Sequence, residues 1–233
     1  MSLNAMRVAR YFVFASALSL MATSNAAAGD EWQGLSDGQV KQATGRSYSQ
    51  LQADWWTWVL AQPAAVNPVL DPTGALCAQG QEANGNAFFL VGSFSADPIL
   101  RDQCVVSSDK TLVIPALNSA YFAFPEEIAG LSKTQAEKYV RSNVIGNAGA
   151  DVVVTVNGQE VKYIRHRESE LFGPLFLTAD SIFGEFELAL NADEGFYVAL
   201  QLEPGDYMIG IHASQGGVVA QDVTYQLHVV AAH

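Results

Sequence analysis

The chain is short of several things, and each shortage excludes something. Basic residues are half as many as acidic ones, 12 against 24 in 233 residues, for a formal net charge of −12. Such a surface repels phosphate backbones, so a nucleic-acid partner is excluded. The four histidines, His166, His212, His228 and His233, form no HxH or HExxH spacing, and zinc chemistry therefore has no support. No G-x-S-x-G occurs, and no spacing marks out a Ser-His-Asp set. No segment repeats at a fixed period, which removes solenoids and propellers. Beyond the first 28 residues there is no long apolar run, so no membrane span is expected.

The first 28 residues stand apart. Arg7 and Arg10 give a positive start, Tyr11 to Met21 is an apolar stretch too short to span a bilayer, and Ala26-Ala27-Ala28 offers small residues for cleavage. This predicts a signal peptide over 1–28, with Met6 as an alternative start, and a periplasmic or secreted product. The segment holds two basic and no acidic residues, so its removal takes the formal charge from −12 to −14. No cysteine sits beside the cleavage site, which argues against a lipoprotein anchor. What remains is long enough for one domain with a substantial core. Only two cysteines are present, Cys77 and Cys104, and in an oxidising compartment an even pair is most simply a disulfide.

Residues 29–46 are polar and glycine-rich and are expected to form a flexible leader. Over Ser47 to Gln62, Leu51, Trp55, Trp58 and Val59 recur at helical spacing, with serine at the start and Pro63 at the end. That predicts a helix over 47–62, its tryptophans packed in the core. From Val66 the texture becomes β. Strands are expected at 87–94, 111–117, 152–156, 160–165, 175–177, 185–190, 196–202, 207–213 and 223–230. Asn157-Gly158 between two β-prone runs marks a type I′ hairpin. Pro204-Gly205 reads as a turn with positive φ at glycine. One further short helix is predicted at 133–142, capped by Ser132. Alternation over 207–213 and 223–230 gives each strand one buried and one wetter face. The expected fold is all-β: an antiparallel β-sandwich, jelly-roll-like or alternatively immunoglobulin-like, with an N-terminal Trp-rich helix and one short inserted helix, in a single domain over 47–233. Too few helices are available to cover a parallel sheet.

The block from Ser47 to Asn118 carries a pattern: Trp55, Trp56 and Trp58; Asp71, Thr73, Gly74, Cys77 and Gln81; Phe89, Leu90 and Gly92; Arg101 and Cys104; Pro115 and Asn118. In this it resembles a group of secreted, mostly bacterial proteins of unknown function, which share a Trp-rich helix and a DxTGxxCxxxQ…FLxG…RxxC…PxxN pattern. Asn157-Gly158, the SELF ending at Phe172 and the stretch from Glu194 to Ala213 also fit. The resemblance implies secretion and fold, and no activity. Where similar proteins have Gly-Pro-x-Trp before the FLxG strand, this chain has Ala83-Asn84-Gly85-Asn86.

Three sets of residues are candidates for chemistry. Asp71, Gln81, Arg101 and Asn118 are polar residues near the expected disulfide. Their donors and acceptors would suit a carboxylate or sugar hydroxyls, but a structural network is the preferred reading. Tyr163, Arg165 and His166 supply the residue types of a polysaccharide lyase, in which a cation neutralises a uronate and a base takes the α-proton. His212 and His228 fall on wetter faces and would meet if their strands were neighbours. Asn191 to Gly195 reads as a hairpin turn, with a structural calcium as the alternative and no other cofactor expected. The expected function is a non-catalytic binding protein for glycan or another surface ligand; the alternative is a polysaccharide lyase or glycoside hydrolase.

Overall fold

The computed structural model describes residues 31–232; the expected signal peptide lies outside them. Helix α1 (Asp37–Thr44) opens with a capping box, Ser36 and Gln39 each accepting the other's backbone N–H, and ends at Gly45 with φ 77°. It pins Val40 in the core at 0 % exposure. The flexible leader expected over 29–46 is thus replaced, from Ser36 to Gly45, by a docked helix. Good caps and one anchoring valine suffice where polar composition suggested a loose tail. Helix α2 (Tyr48–Ala61) is capped the same way by Ser47 and Gln50. It buries Tyr48, Leu51, Gln52 and all three of its tryptophans, far more than a single stripe.

The strands follow as β1 (Ala87–Phe89), β2 (Ile99–Ser107) and β3 (Thr111–Ala123). Two helices come next, the short α3 (Pro125–Ile128) and α4 (Lys133–Asn143). The remaining strands are β4 (Asp151–Val156), β5 (Gln159–Glu160), β6 (Arg165–Glu168), β7 (Leu175–Leu177), β8 (Phe186–Leu188), β9 (Leu190–Gln201), β10 (Gly205–Gln215) and β11 (Val218–Val230). An inner sheet runs β1-β3-β9-β6, an outer sheet runs β2-β11-β10-β4-β5, and β7 pairs β8 as a separate hairpin. The expectation of purely antiparallel sheets is corrected: β1 pairs β3, and β2 pairs β11, in parallel. Both parallel pairs lie at a sheet edge, where a strand from elsewhere in the chain is laid alongside.

The two sheets face each other across one core, in which Leu112, Ile114, Val198 and Leu200 meet Ile209, Ile211, Tyr225 and Leu227. The inner sheet's other face carries Phe89, Val113, Tyr197 and Ala199, and α2 packs its tryptophans there. The order of layers is helix, inner sheet, outer sheet. Alternation over β10 and β11 is as expected, with Ile209 and Ile211, then Val223, Tyr225, Leu227 and Val229, all turned inward. Asn157 (φ 52°) and Gly158 (φ 78°) make the expected turn between β4 and β5. Gly205 does not take the left-handed φ expected of it; Pro204-Gly205 instead carries the chain from the inner to the outer sheet. The expected strand over 160–165 is broken at Tyr163, which takes φ 67°. Strand β2 had no counterpart in the expectations.

Candidate functional site

Cys77 and Cys104 are bonded, with Cα atoms 5.6 Å apart. Beside them Arg101 leaves β2 and is 1 % exposed, the largest fully buried side chain among the described residues. Its Nε donates to the Asp71 carbonyl at 2.9 Å, and one terminal nitrogen donates to the Val91 carbonyl and the Tyr225 hydroxyl, both at 2.7 Å. The Tyr225 ring lies 5.3 Å from the guanidinium. Asp71 does not pair with it through its carboxylate. That group accepts from the Thr73 N–H at 2.8 Å, the Thr73 hydroxyl at 2.7 Å and the Leu76 N–H at 2.8 Å. Burial pulls the Asp71 pKa upward, but these donors, with the Arg101 charge behind them, hold it below the usual carboxylate range. Gly74, at φ 83°, makes the close approach feasible, since a Cβ there would sit 2.9 Å from the Arg101 Cβ. Gln81 donates to the Cys77 and Phe89 carbonyls at 3.0 and 2.8 Å and accepts from the Phe89 N–H at 3.1 Å. Each of the three is spent mainly on backbone, and together they tie the disulfide loop to both sheets.

Asn118 belongs elsewhere. It donates to the Tyr197 hydroxyl at 2.9 Å, which donates to Asp193 at 3.0 Å, while the Trp56 indole donates to the other oxygen of Asp193 at 2.8 Å. Asp193 lies within β9 at 1 % exposure, beneath α2. The hairpin turn expected at 191–195, with its calcium alternative, is therefore corrected to a buried strand. Gly195 is needed there because a Cβ would come within 2.5 Å of the Leu117 carbonyl. Burial raises the Asp193 pKa to about 7; Trp56, Tyr197 and Asn118 oppose the shift and the Glu194 charge adds to it. Sequence reasoning missed this carboxylate. The available signal was its period-2 spacing with Tyr197 and Ala199, which places it on the helix-facing side of β9.

Tyr163, Arg165 and His166 do not converge. Arg165 lies 5.1 Å over the Tyr163 ring. His166 Nε2 pairs with Glu194 Oε1 at 2.7 Å and its ring lies 4.9 Å from Phe196. Strands β10 and β11 are neighbours, but register sets His212 opposite Asp222 and His228 opposite Asp206, so the two histidines do not meet. His228 Nδ1 lies 2.6 Å from Asp206 Oδ1, in a shallow outer-face groove with Asp102, Tyr207 and Met208. No group of three or more metal-ligating side chains is assembled among the described residues.

An apolar groove of about 350 Å³ is lined by Phe122, Phe124, Leu177, Phe183, Phe186 and Leu188. It lies between the end of β3 and the β7–β8 hairpin. Phe183 and Phe186 are 45 % and 44 % exposed, and Phe94, 59 % exposed, lies 6.4 Å from Phe183 and extends the surface. Behind it Phe122 packs edge-on against Trp56 at 5.2 Å. No protein-family model, curated protein or solved structure matches this chain. Among the described residues no helix is long and apolar enough to cross a membrane.

Proposed function

We propose that this is an exported, non-catalytic binding protein, and that the phenylalanine-lined groove seats its ligand. The observation that carries this reading is the contrast between spent polar groups and free aromatic ones. Asp71, Gln81, Arg101, Asn118 and Asp193 are committed to internal bonds. Phe183 and Phe186 stand nearly half exposed around an open concavity of ligand size. The six lining side chains offer no hydrogen-bond donor or acceptor, which suits an apolar group better than a glycan. Export follows from the signal peptide read at 1–28 and agrees with a disulfide, which persists in oxidising compartments. The resemblance to secreted Trp-rich proteins points the same way. Within the sandwich we favour a jelly-roll-like type, because β2 to β3 and β9 to β10 pass between sheets.

Titration with a neutral apolar fluorophore tests the reading. Saturable binding is expected, lost in a Phe183→Ser, Phe186→Ser double variant that keeps its circular-dichroism spectrum. Absence of binding, or binding unchanged by the double variant, overturns it. Mass spectrometry of exported protein is expected to find Gly29 at the N-terminus.

A second reading, a polysaccharide lyase or glycoside hydrolase, draws on Tyr163. A tyrosine at φ 67° under an exposed arginine is a costly conformation of the kind that collects at functional sites. Turnover of a uronate polysaccharide that His166→Ala abolishes, with the fold intact, would place this reading first.

A further inference from the structure

We infer that the partner of the phenylalanine groove is a cationic amphipathic peptide, its apolar side chains in the groove and its lysines or arginines on the acidic margin. The inference rests on the binding-protein reading above and adds the partner's chemistry.

Charge around the groove decides between occupants. Glu127 is fixed at the Phe124 end, where one carboxylate oxygen accepts the Phe124 N–H at 2.7 Å and the other accepts the Tyr121 hydroxyl at 2.6 Å. Donation from Tyr121, then from the Phe124 backbone, lowers its pKa and keeps it ionised. Three more exposed carboxylates adjoin lining residues in the chain: Glu126 two positions after Phe124, Glu185 one position before Phe186, and Glu187 between Phe186 and Leu188. From residue 168 to 233 the sequence holds ten Asp and Glu and no Lys or Arg, so the hairpin and everything after it bring no cation to answer them.

The alternatives fail on the same charges. A second copy of this chain would bring an equally acidic face, at a formal net charge of −14 per exported copy, −12 less the two basic residues of 1–28. A fatty acid or an anionic membrane would bring carboxylates or phosphates against Glu126, Glu127 and Glu185. A neutral apolar ligand would leave the acidic margin without a role. A basic amphipathic segment uses both features: apolar anchors fill the groove, while its cations meet carboxylates and the faces of Phe183 and Phe186.

Three labelled twelve-residue peptides of alternating Leu and Xaa, with Xaa as Lys, Gln or Glu, provide the test by fluorescence anisotropy at low and at high salt. The Lys peptide is expected to bind about tenfold more tightly than the Gln peptide at low salt, the Glu peptide least, with the preference lost at high salt. Phe183→Ser, Phe186→Ser should abolish binding of both Lys and Gln peptides. Glu126→Gln, Glu185→Gln should weaken the preference for Lys and leave binding of the Gln peptide unchanged. Equal binding of Lys and Gln peptides overturns the inference, and the apolar-groove reading survives if the double phenylalanine variant still abolishes both. A Lys preference that persists in the phenylalanine variant also overturns it, since the attraction then lies off the groove. Failure of every peptide and of the neutral fluorophore removes both readings.

Discussion

The inner sheet is covered on both faces, by α2 on one and by the outer sheet on the other, whereas the outer sheet has one face in water. The difference shows in how each holds its carboxylates. On β9 of the inner sheet Asp193 is 1 % exposed and is met by an indole, a phenol and, behind them, an amide. On β10 of the outer sheet Asp206 stays in solvent beside His228. A polar residue under two layers must be given partners, because an unpaired buried one costs kilocalories; under one layer, water serves. The outer sheet follows the inner rule only at its edge, where Arg101 turns under the disulfide loop.

The largest test of this contrast is Trp55→Ala. Trp55 is 3 % exposed against the inner sheet and its indole N–H donates to the Leu90 carbonyl at 3.0 Å. The substitution should cost about 3–5 kcal/mol in urea unfolding. If it costs no more than an outer-face truncation, the helix is a loose cover and the comparison collapses. Next in size is Arg101→Ala, which leaves buried carbonyls and the Tyr225 hydroxyl without their donor and should cost about 2–4 kcal/mol. Arg101→Lys should not rescue it, since one ammonium cannot reproduce the planar fork; a normal melting temperature in either variant would show the edge to be as tolerant as the open face.

Asp193→Asn probes the doubly covered face through pH. The folded pKa of about 7 stands above the ordinary 3.8, so the fold prefers the protonated carboxyl. Its contribution is fully present below about pH 4 and is lost as pH rises toward 7, with a slope of up to about 1.4 kcal/mol per pH unit. The amide keeps the acceptor for Trp56 and cannot ionise, so the variant's stability should be flatter between pH 4 and 7. An unchanged slope would mean that Trp56, Tyr197 and Asn118 already satisfy the charge. The smallest effects belong to the open face. Met208→Ala, at a residue 49 % exposed, and His228→Ala should each change stability by no more than about 0.5 kcal/mol.

The same contrast sets what could be read from the residues. Strands β10 and β11 alternate because one face is wet, and the expected 207–213 and 223–230 fall inside them. Strand β9 begins Leu-Asn-Ala-Asp-Glu-Gly, which reads as a turn unless one knows that Trp56 waits opposite Asp193. Strand β2 interrupts its apolar run with Arg101, Asp102 and Gln103, and nothing local announces a parallel partner more than a hundred positions away in β11. The grouping of Asp71, Gln81 and Arg101 beside the cysteines was legible; the separate placement of Asn118 was not.

The local devices were legible from the residues: the serine caps of α2 and α4, the stop at Pro63, the Asn157-Gly158 turn, the period-2 faces of the last two strands and the pairing of the only two cysteines. These depend on neighbours within a turn or on compartment, so residue type and spacing suffice. Long-range packing set the rest: which faces lie under two layers, that Arg101 takes backbone carbonyls in place of the Asp71 carboxylate, that Asp193 sits beneath Trp56, and that Phe122 of β3 and Phe124 just after it close around one groove with four side chains of the β7–β8 hairpin. Those outcomes depend on what is brought alongside from far away in the chain, and desolvation, which sets their energies, acts only once the layers have met.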